Sequence, residues 1–320
     1  MVAGSDGSLI TRGHNLGAGW VTESVVEYTD SAPALSFSTT GAVLSVRSLS
    51  NVVRYCTFTA GNWTAFSDVG NNSLTRGQPG LAASSGGAHH LVFQGEDYKY
   101  YSSQFGGASW TLPASVGTPQ AFGPLAPAIA ARGAGYAIAY RGDNGRLITQ
   151  NFSGAWDGGV DHGAGSEVGN IPPAVAGRAA GFVVVFAPVD AQQALKWTAG
   201  LNSASWSAPA SLPGPVTDRA FAVTATSTGD VVAAWVGRDD QKLYAAVLSA
   251  GSWSSSVEVD AFSQAGPPAL APGVGTNRAE LVFLRGNAMQ HASLVGSDWT
   301  PPEPIASGDF KSVALARAPR

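Results

Sequence analysis

The sequence predicts an all-β chain: a single seven-bladed β-propeller of four-stranded antiparallel blades, with the last blade closed by both termini. Three observations lead there. Seven of the nine tryptophans follow a short Gly-, Ser-, Ala- or Asn-rich turn: Trp20, Trp63, Trp110, Trp156, Trp206, Trp253 and Trp299, spaced 43 to 50 residues apart. A second marker, Pro-Ala-aliphatic or a variant of it, runs in phase at Pro33, Pro79, Pro127, Pro173, Phe221, Pro268 and Val313. Between the markers lie four short alternating or apolar runs bounded by turn residues, and helical i, i+3, i+4 stripes are absent. Four strands per unit of this length, repeated around a ring, is the propeller signature.

Each element follows from its position in the unit. The Pro-Ala-aliphatic run is the inner strand, because small side chains suit the axis where strands converge. The second strand is an apolar run such as DVVAAWV, the third a mixed run such as KLYAAVL, and the Trp opens the fourth. Predicted blades cover 31–74, 75–122, 123–168, 169–215, 216–263, 264–308, and 309–320 joined to 1–30. A blade shared by both ends pins the ring shut and removes an open sheet edge. The spacing from Trp299 through the chain ends back to Trp20 is 41, so that blade is expected to be incomplete in its second strand.

Composition narrows the function classes. Charged residues are 12% of the 320, with 18 basic against 22 acidic and a net charge of −4, and no basic stripe that would follow nucleic acid. Cys56 is the single cysteine, which excludes an internal disulfide framework and a cysteine zinc site. No apolar run reaches the length of a membrane span, and the first residues lack a signal-peptide pattern. The compartment stays open, the cell exterior included.

Candidate binding residues lie in two rows. The turns between second and third strands carry Arg47, Gln94 and Arg141 at matching positions, with Asp97, Asp143, Arg238 and Asp239 close by. Third strands add Tyr55, Tyr100 and Tyr244, and the fourth strands open with Trp63, Trp110, Trp156 and Trp253. As structure, the acidic residues are hairpin formers and the tryptophans are packing between blades. As function, an aromatic face meets the C–H groups of a sugar while Arg, Asp or Gln meet its hydroxyls. On this reading the first, second and fifth blades bind before the fourth and sixth, and Arg47 and Gln94 are exposed.

The unit resembles the repeat of bacterial seven-bladed propeller lectins of the Photorhabdus lectin type. GSDGSLITRGHNLGAGW, RGDNGRLITQNFSGAW and GRDDQKLYAAVLSAGSW carry the likeness. Fungal fucose-binding propellers are similar in their strand–turn–strand–Trp plan. The resemblance implies multivalent binding of fucose-like or methylated sugars in pockets between blades, with glycans as partners.

Enzyme signals are weak. No G-x-S-x-G elbow, P-loop, H-E-x-x-H or sialidase Asp box is present, and no cofactor or metal is expected. His89 and His90 are strand neighbours, so they point to opposite faces and cannot chelate together. Two alternatives stay open: a protein-interaction ring, and a glycosidase-, sialidase- or lyase-like enzyme with one axial site.

Overall fold

A computed structural model describes residues 2–4, 8–15, 19–29, 31–70, 73–116, 125–190, 194–201, 205–262, 264, 266–308 and 310–317, with side chains described from Glu27 onward. Six consecutive stretches, 34–68, 80–115, 128–161, 174–211, 222–260 and 269–307, each form an antiparallel sheet in chain order from the inside outward. We number them blades 1 to 6. Their inner strands are Ala34–Ser38, Gly80–Ala83, Ala128–Arg132, Ala174–Arg178, Ala222–Ala225 and Ala269–Pro272, and each lies beside the next.

The expectation of seven like blades is corrected: the propeller has six. The chain ends form a terminal sheet of different make. Phe310–Val313 pairs with Val2–Gly4, which pairs with Ser8–Asn15, which pairs with Gly19–Tyr28. The last two strands run 8 and 10 residues, whereas the outer strand pieces of the blades run two to five. Phe310–Val313 lies against the second strand of blade 6, Asn277–Arg285, and Phe310, Val313 and Leu315 join that blade's apolar cluster. The tryptophan count misled because it follows hairpin chemistry. Trp20 sits at such a hairpin, opposite His14, but the strand then runs on.

Crowding at the axis explains the small inner residues. A Cβ on Gly177 would stand 2.0 Å from the Ala131 carbonyl oxygen of the preceding blade, and one on Gly80 would stand 2.7 Å from that of Pro127. The second strands are the deepest layer: Gly181–Phe186 and Val231–Val236 are buried along their whole length. These two are apolar throughout because both their faces are covered by neighbouring blades. The core is accordingly a series of inter-blade clusters. Ala176, Val183, Val185, Val231, Ala233 and Trp235 fill one between blades 4 and 5, and Val232, Ala234, Leu281 and Phe283 fill the next. Burying each Val, Leu or Phe side chain of these clusters contributes roughly 1.5–3 kcal/mol.

In blades 1, 5 and 6 the fourth strand breaks into two pieces that both pair with the third strand, and the Trp closes the first. In blades 2 and 3 the Trp makes a single bridge, Phe105 to Trp110 and Phe152 to Trp156. No helix among the described residues is long and apolar enough to cross a membrane.

Candidate functional site

Register places every candidate residue. In each blade the third-strand residue at one register position pairs with the outer strand: Tyr55, Ser102, Thr149, Trp197, Ala245 and His291; the first five face the following blade, and His291 bonds to Glu280 and Glu303 of its own blade. The Trp of the following blade leans toward this position. All six tryptophans of the blades are half-buried; those of blades 2 to 6 pack on the inter-blade clusters, and Trp63 packs on the apolar cluster of its own blade.

The side chains that meet the Trp at this position differ from one interface to the next. Tyr55 meets Trp110 edge-on, with ring centroids 5.5 Å apart. Trp197 meets Trp253 edge-on at 6.1 Å. Beside Thr149, the ring of His162 takes the space, 5.3 Å from Trp206 and held by a 3.0 Å hydrogen bond to the Thr149 hydroxyl. Trp299 lies against the aliphatic cluster of blade 5. Between blades 2 and 3 the position is Ser102, and there a cleft of about 480 Å³ opens.

That cleft has an aromatic wall, a polar floor and an apolar lip. Trp156 is fixed by its Nε1–H, which donates to the Ser102 hydroxyl at 2.9 Å. Phe152 stands beside it, 5.2 Å between centroids. Leu112, 76% exposed, forms the lip. Gln104, Ser103 and Thr111 supply the polar lining. His90 is buried beneath, ringed by Tyr136, Phe152 and Trp156 at 4.6 to 5.3 Å. Burial pushes its pKa down to about 4, so the ring is neutral near pH 7. Its Nδ1 accepts from the Gln104 amide at 3.4 Å, which leaves the proton on Nε2. Among the described residues, Asp157 is the one carboxylate in the cleft lining. It is engaged: it accepts from the Asn151 backbone N–H at 3.0 Å, the Asn151 side-chain amide at 3.1 Å and the Gly159 N–H at 3.1 Å.

Asp157 belongs to a repeated device that sequence reasoning passed over. The residue after each blade Trp is Thr64, Thr111, Asp157, Ser207, Ser254 or Thr300. Its side-chain oxygen accepts a third-strand N–H at 2.9 to 3.1 Å: from Thr57, Gln104, Asn151, Ala199, Val247 and Ser293 in turn. Its own N–H returns a bond to that same residue's carbonyl. This clamp aims the tryptophan. The signal was present as Trp followed by Ser, Thr or Asp, and Trp20, followed by Val21, lacks it.

The turn row is not brought to the tryptophans. Gln94 and the Trp-bearing hairpin lie at opposite ends of His89–Gln94 and Tyr100–Phe105, about 16 Å apart at a strand's rise. Arg47 donates to the Arg76 carbonyl at 2.7 Å, and Arg141 donates to the Gly169 carbonyl at 3.1 Å, so both reach the connector ahead of the next blade. Gln94 is not exposed as expected: it is fully buried, because its strand is covered on both faces. Tyr100 shares the register of Leu147 and Leu195 and is buried against Tyr140, 4.3 Å between centroids. Asp97 accepts from Tyr101 Oη at 2.8 Å, and Asp240 accepts likewise from Tyr244. Arg238 pairs with the exposed Asp239 at 2.9 Å, and Asp143 is exposed in its turn. Trp63 packs on Phe58 at 5.2 Å. His89 and His90 do face opposite ways, His89 bonding to Ser36 and Ser38 of blade 1.

A second cavity, about 360 Å³, lies at the axis between inner strands. Ala130, Val175, Gly177, Thr224, Thr226 and Ser227 line it, and among the described residues no ionisable side chain does.

Comparison with protein-family models and with curated proteins gives no match. Solved structures do match in fold. A lectin from Burkholderia pseudomallei superposes with a TM-score of 0.75 at 16% identity, covering 95% of this chain and 94% of that one. AofleA from Arthrobotrys oligospora gives 0.59 at 13% identity, with 91% of each chain covered. A fucose-specific lectin from Aleuria aurantia gives 0.56 at 14% identity, covering 88% and 96%, and that lectin is described as a six-bladed β-propeller. These likenesses establish the propeller fold. The Photorhabdus type does not appear among them.

Proposed function

We propose that this protein is a non-catalytic lectin that binds a neutral sugar bearing an apolar group, of the fucose or O-methylated kind, in the cleft between blades 2 and 3. The observation that carries this is the composition of that cleft. Trp156, Phe152 and Leu112 offer apolar surface for a methyl group and for ring C–H bonds, while Ser103, Gln104 and Thr111 offer hydroxyl and amide groups. No Arg or Lys lines it among the described residues, and its carboxylate is already satisfied by three N–H donors. A sialic or uronic acid would meet no cation there. Support from outside the chain is that proteins of this fold include a fucose-specific lectin and a lectin in complex with α-methyl fucoside.

A glycan array that includes fucosylated, O-methylated and acidic glycans tests the reading. The expected result is binding confined to neutral glycans with a methyl or methoxy group, lost in Trp156→Ala. An array without hits, or one dominated by acidic glycans, rejects it.

A further inference from the structure

We infer that the number of sugar sites on this ring is set by plug residues of its own, and that Tyr55, Trp197 and His162 each hold a latent cleft shut; this rests on the proposed sugar-binding reading. The six blades place a Trp at the same hairpin and clamp it with the same hydrogen bond. The apolar wall is therefore common to them, and what fills the space beside it varies: between blades 5 and 6 the facing residue is Ala245 and Trp299 itself packs down on the apolar cluster, whereas in the other described interfaces the third-strand residue or its partner decides. Where that residue is Ser102, the cleft is open. Where it is Tyr55 or Trp197, an aromatic ring stands edge-on to the next blade's tryptophan and occupies the place of a sugar ring. Where it is Thr149, His162 swings in from the outer side and is tied to the threonine hydroxyl.

The plugged tryptophans carry a second mark. The indole Nε1 of Trp110, Trp206 and Trp253 is buried without a hydrogen-bond partner, whereas that of Trp156 has Ser102. A buried donor left without an acceptor is costly. In three clefts the hydroxyl that would satisfy the indole has been exchanged for ring surface or drawn to another partner. The plugs thus trade a satisfied tryptophan for a filled cavity, and they reduce the ring's valency.

The experiment is a reciprocal pair of variants, Ser102→Trp and Trp197→Ser. Each is titrated with methyl α-fucoside by native mass spectrometry and followed by acrylamide quenching of tryptophan fluorescence. The wild-type ring is expected to take one sugar, Ser102→Trp none, and Trp197→Ser two, with acrylamide reaching Trp253 in the last variant. Unchanged stoichiometry in a folded Trp197→Ser ring, or unchanged quenching of it, overturns the plug. If Trp197→Ser does not fold, Tyr55→Ser asks the same of Trp110. A wild-type ring that binds no sugar while Trp197→Ser gains quenching rejects the lectin reading and leaves the plugs standing.

Discussion

At the scale of single residues, burial governs three histidines, and for His162 it outweighs the nearby Asp161 carboxylate, which works to raise its pKa. His89, His90 and His162 are each pushed down by burial to about 4 from 6.5. A base whose folded pKa is depressed contributes stability that is present above the unfolded value and is lost as pH falls through the folded one. The melting temperature is therefore expected to drop between pH 6.5 and 4, with each of these histidines contributing on the order of 3 kcal/mol at most. A calorimetric series across that range checks it. His291 runs the other way. Burial works to lower it, but hydrogen bonds to Glu280 at 3.0 Å and Glu303 at 3.1 Å raise it. Its contribution is complete below the ordinary imidazole range and is lost as pH rises through its folded pKa, so His291→Gln should cost more stability near pH 5 than near pH 9. A cost that grows with pH would contradict that sign. Gln94 presents a different case. Its amide is fully buried and neither polar atom has a partner. Replacing it with the similarly sized Met in Gln94→Met removes a desolvated dipole, so denaturant unfolding should show unchanged or raised stability. A loss above about 1 kcal/mol would reveal a partner for that amide.

At the scale of elements, the repeating object is a third strand tied to the start of the fourth by a reciprocal hydrogen-bond pair. Thr111 ties with a neutral hydroxyl to one N–H at 3.0 Å. Asp157 ties with a carboxylate to three donors and so also shapes the turn toward Gly159. Charge-assisted bonds are about twice as strong as neutral ones. Thr111→Val is expected to cost about 1 kcal/mol and Asp157→Ala about 3 kcal/mol in urea unfolding. Equal costs would mean that the carboxylate does no more than the hydroxyl. Trp156 also has its indole held by Ser102, so Ser102→Ala should loosen the ring and shift tryptophan emission even where folding is unchanged.

At the scale of the molecule, the six blades are joined through apolar clusters at each interface, and the two chain ends meet in one sheet. Phe310–Val313 covers Leu284, Met289 and Ala306 of blade 6 and pairs with Val2–Gly4. Deleting residues 308–320 would strip that cover and leave Val2–Gly4 with an open edge, which invites edge-to-edge association. The expected outcome is a lower melting temperature together with concentration-dependent aggregation, seen by light scattering. A truncated chain that stays monomeric and melts like the full one would show that the terminal sheet is dispensable. Charge is distributed unevenly. The second-to-third-strand turns hold Arg47, Asp97, Asp143, Arg238 and Asp239, while the hairpins before the tryptophans are almost wholly Gly, Ser, Ala and Asn. The open cleft sits by the uncharged hairpins, which suits an uncharged ligand.

Local patterning was enough to determine the all-β class, the blade unit and its strand order, because turn chemistry and strand periodicity act within a few residues. The inner strands at Ala34, Gly80, Ala128, Ala174, Ala222 and Ala269 were legible for that reason, and so were the tryptophans as packing between blades. Blade number was not legible, because Trp20 shares the hairpin signal of the other six while its strand continues past it. The binding residues were only half legible. Tyr55 read as a sugar wall from its residue type, yet it spends its face on the next blade's tryptophan. Gln94 read as exposed from its polarity, yet it ends a strand covered on both sides. Which third-strand residue meets which tryptophan is a contact between segments some fifty residues apart, and only the packing of one blade on the next could decide where a cleft stayed open.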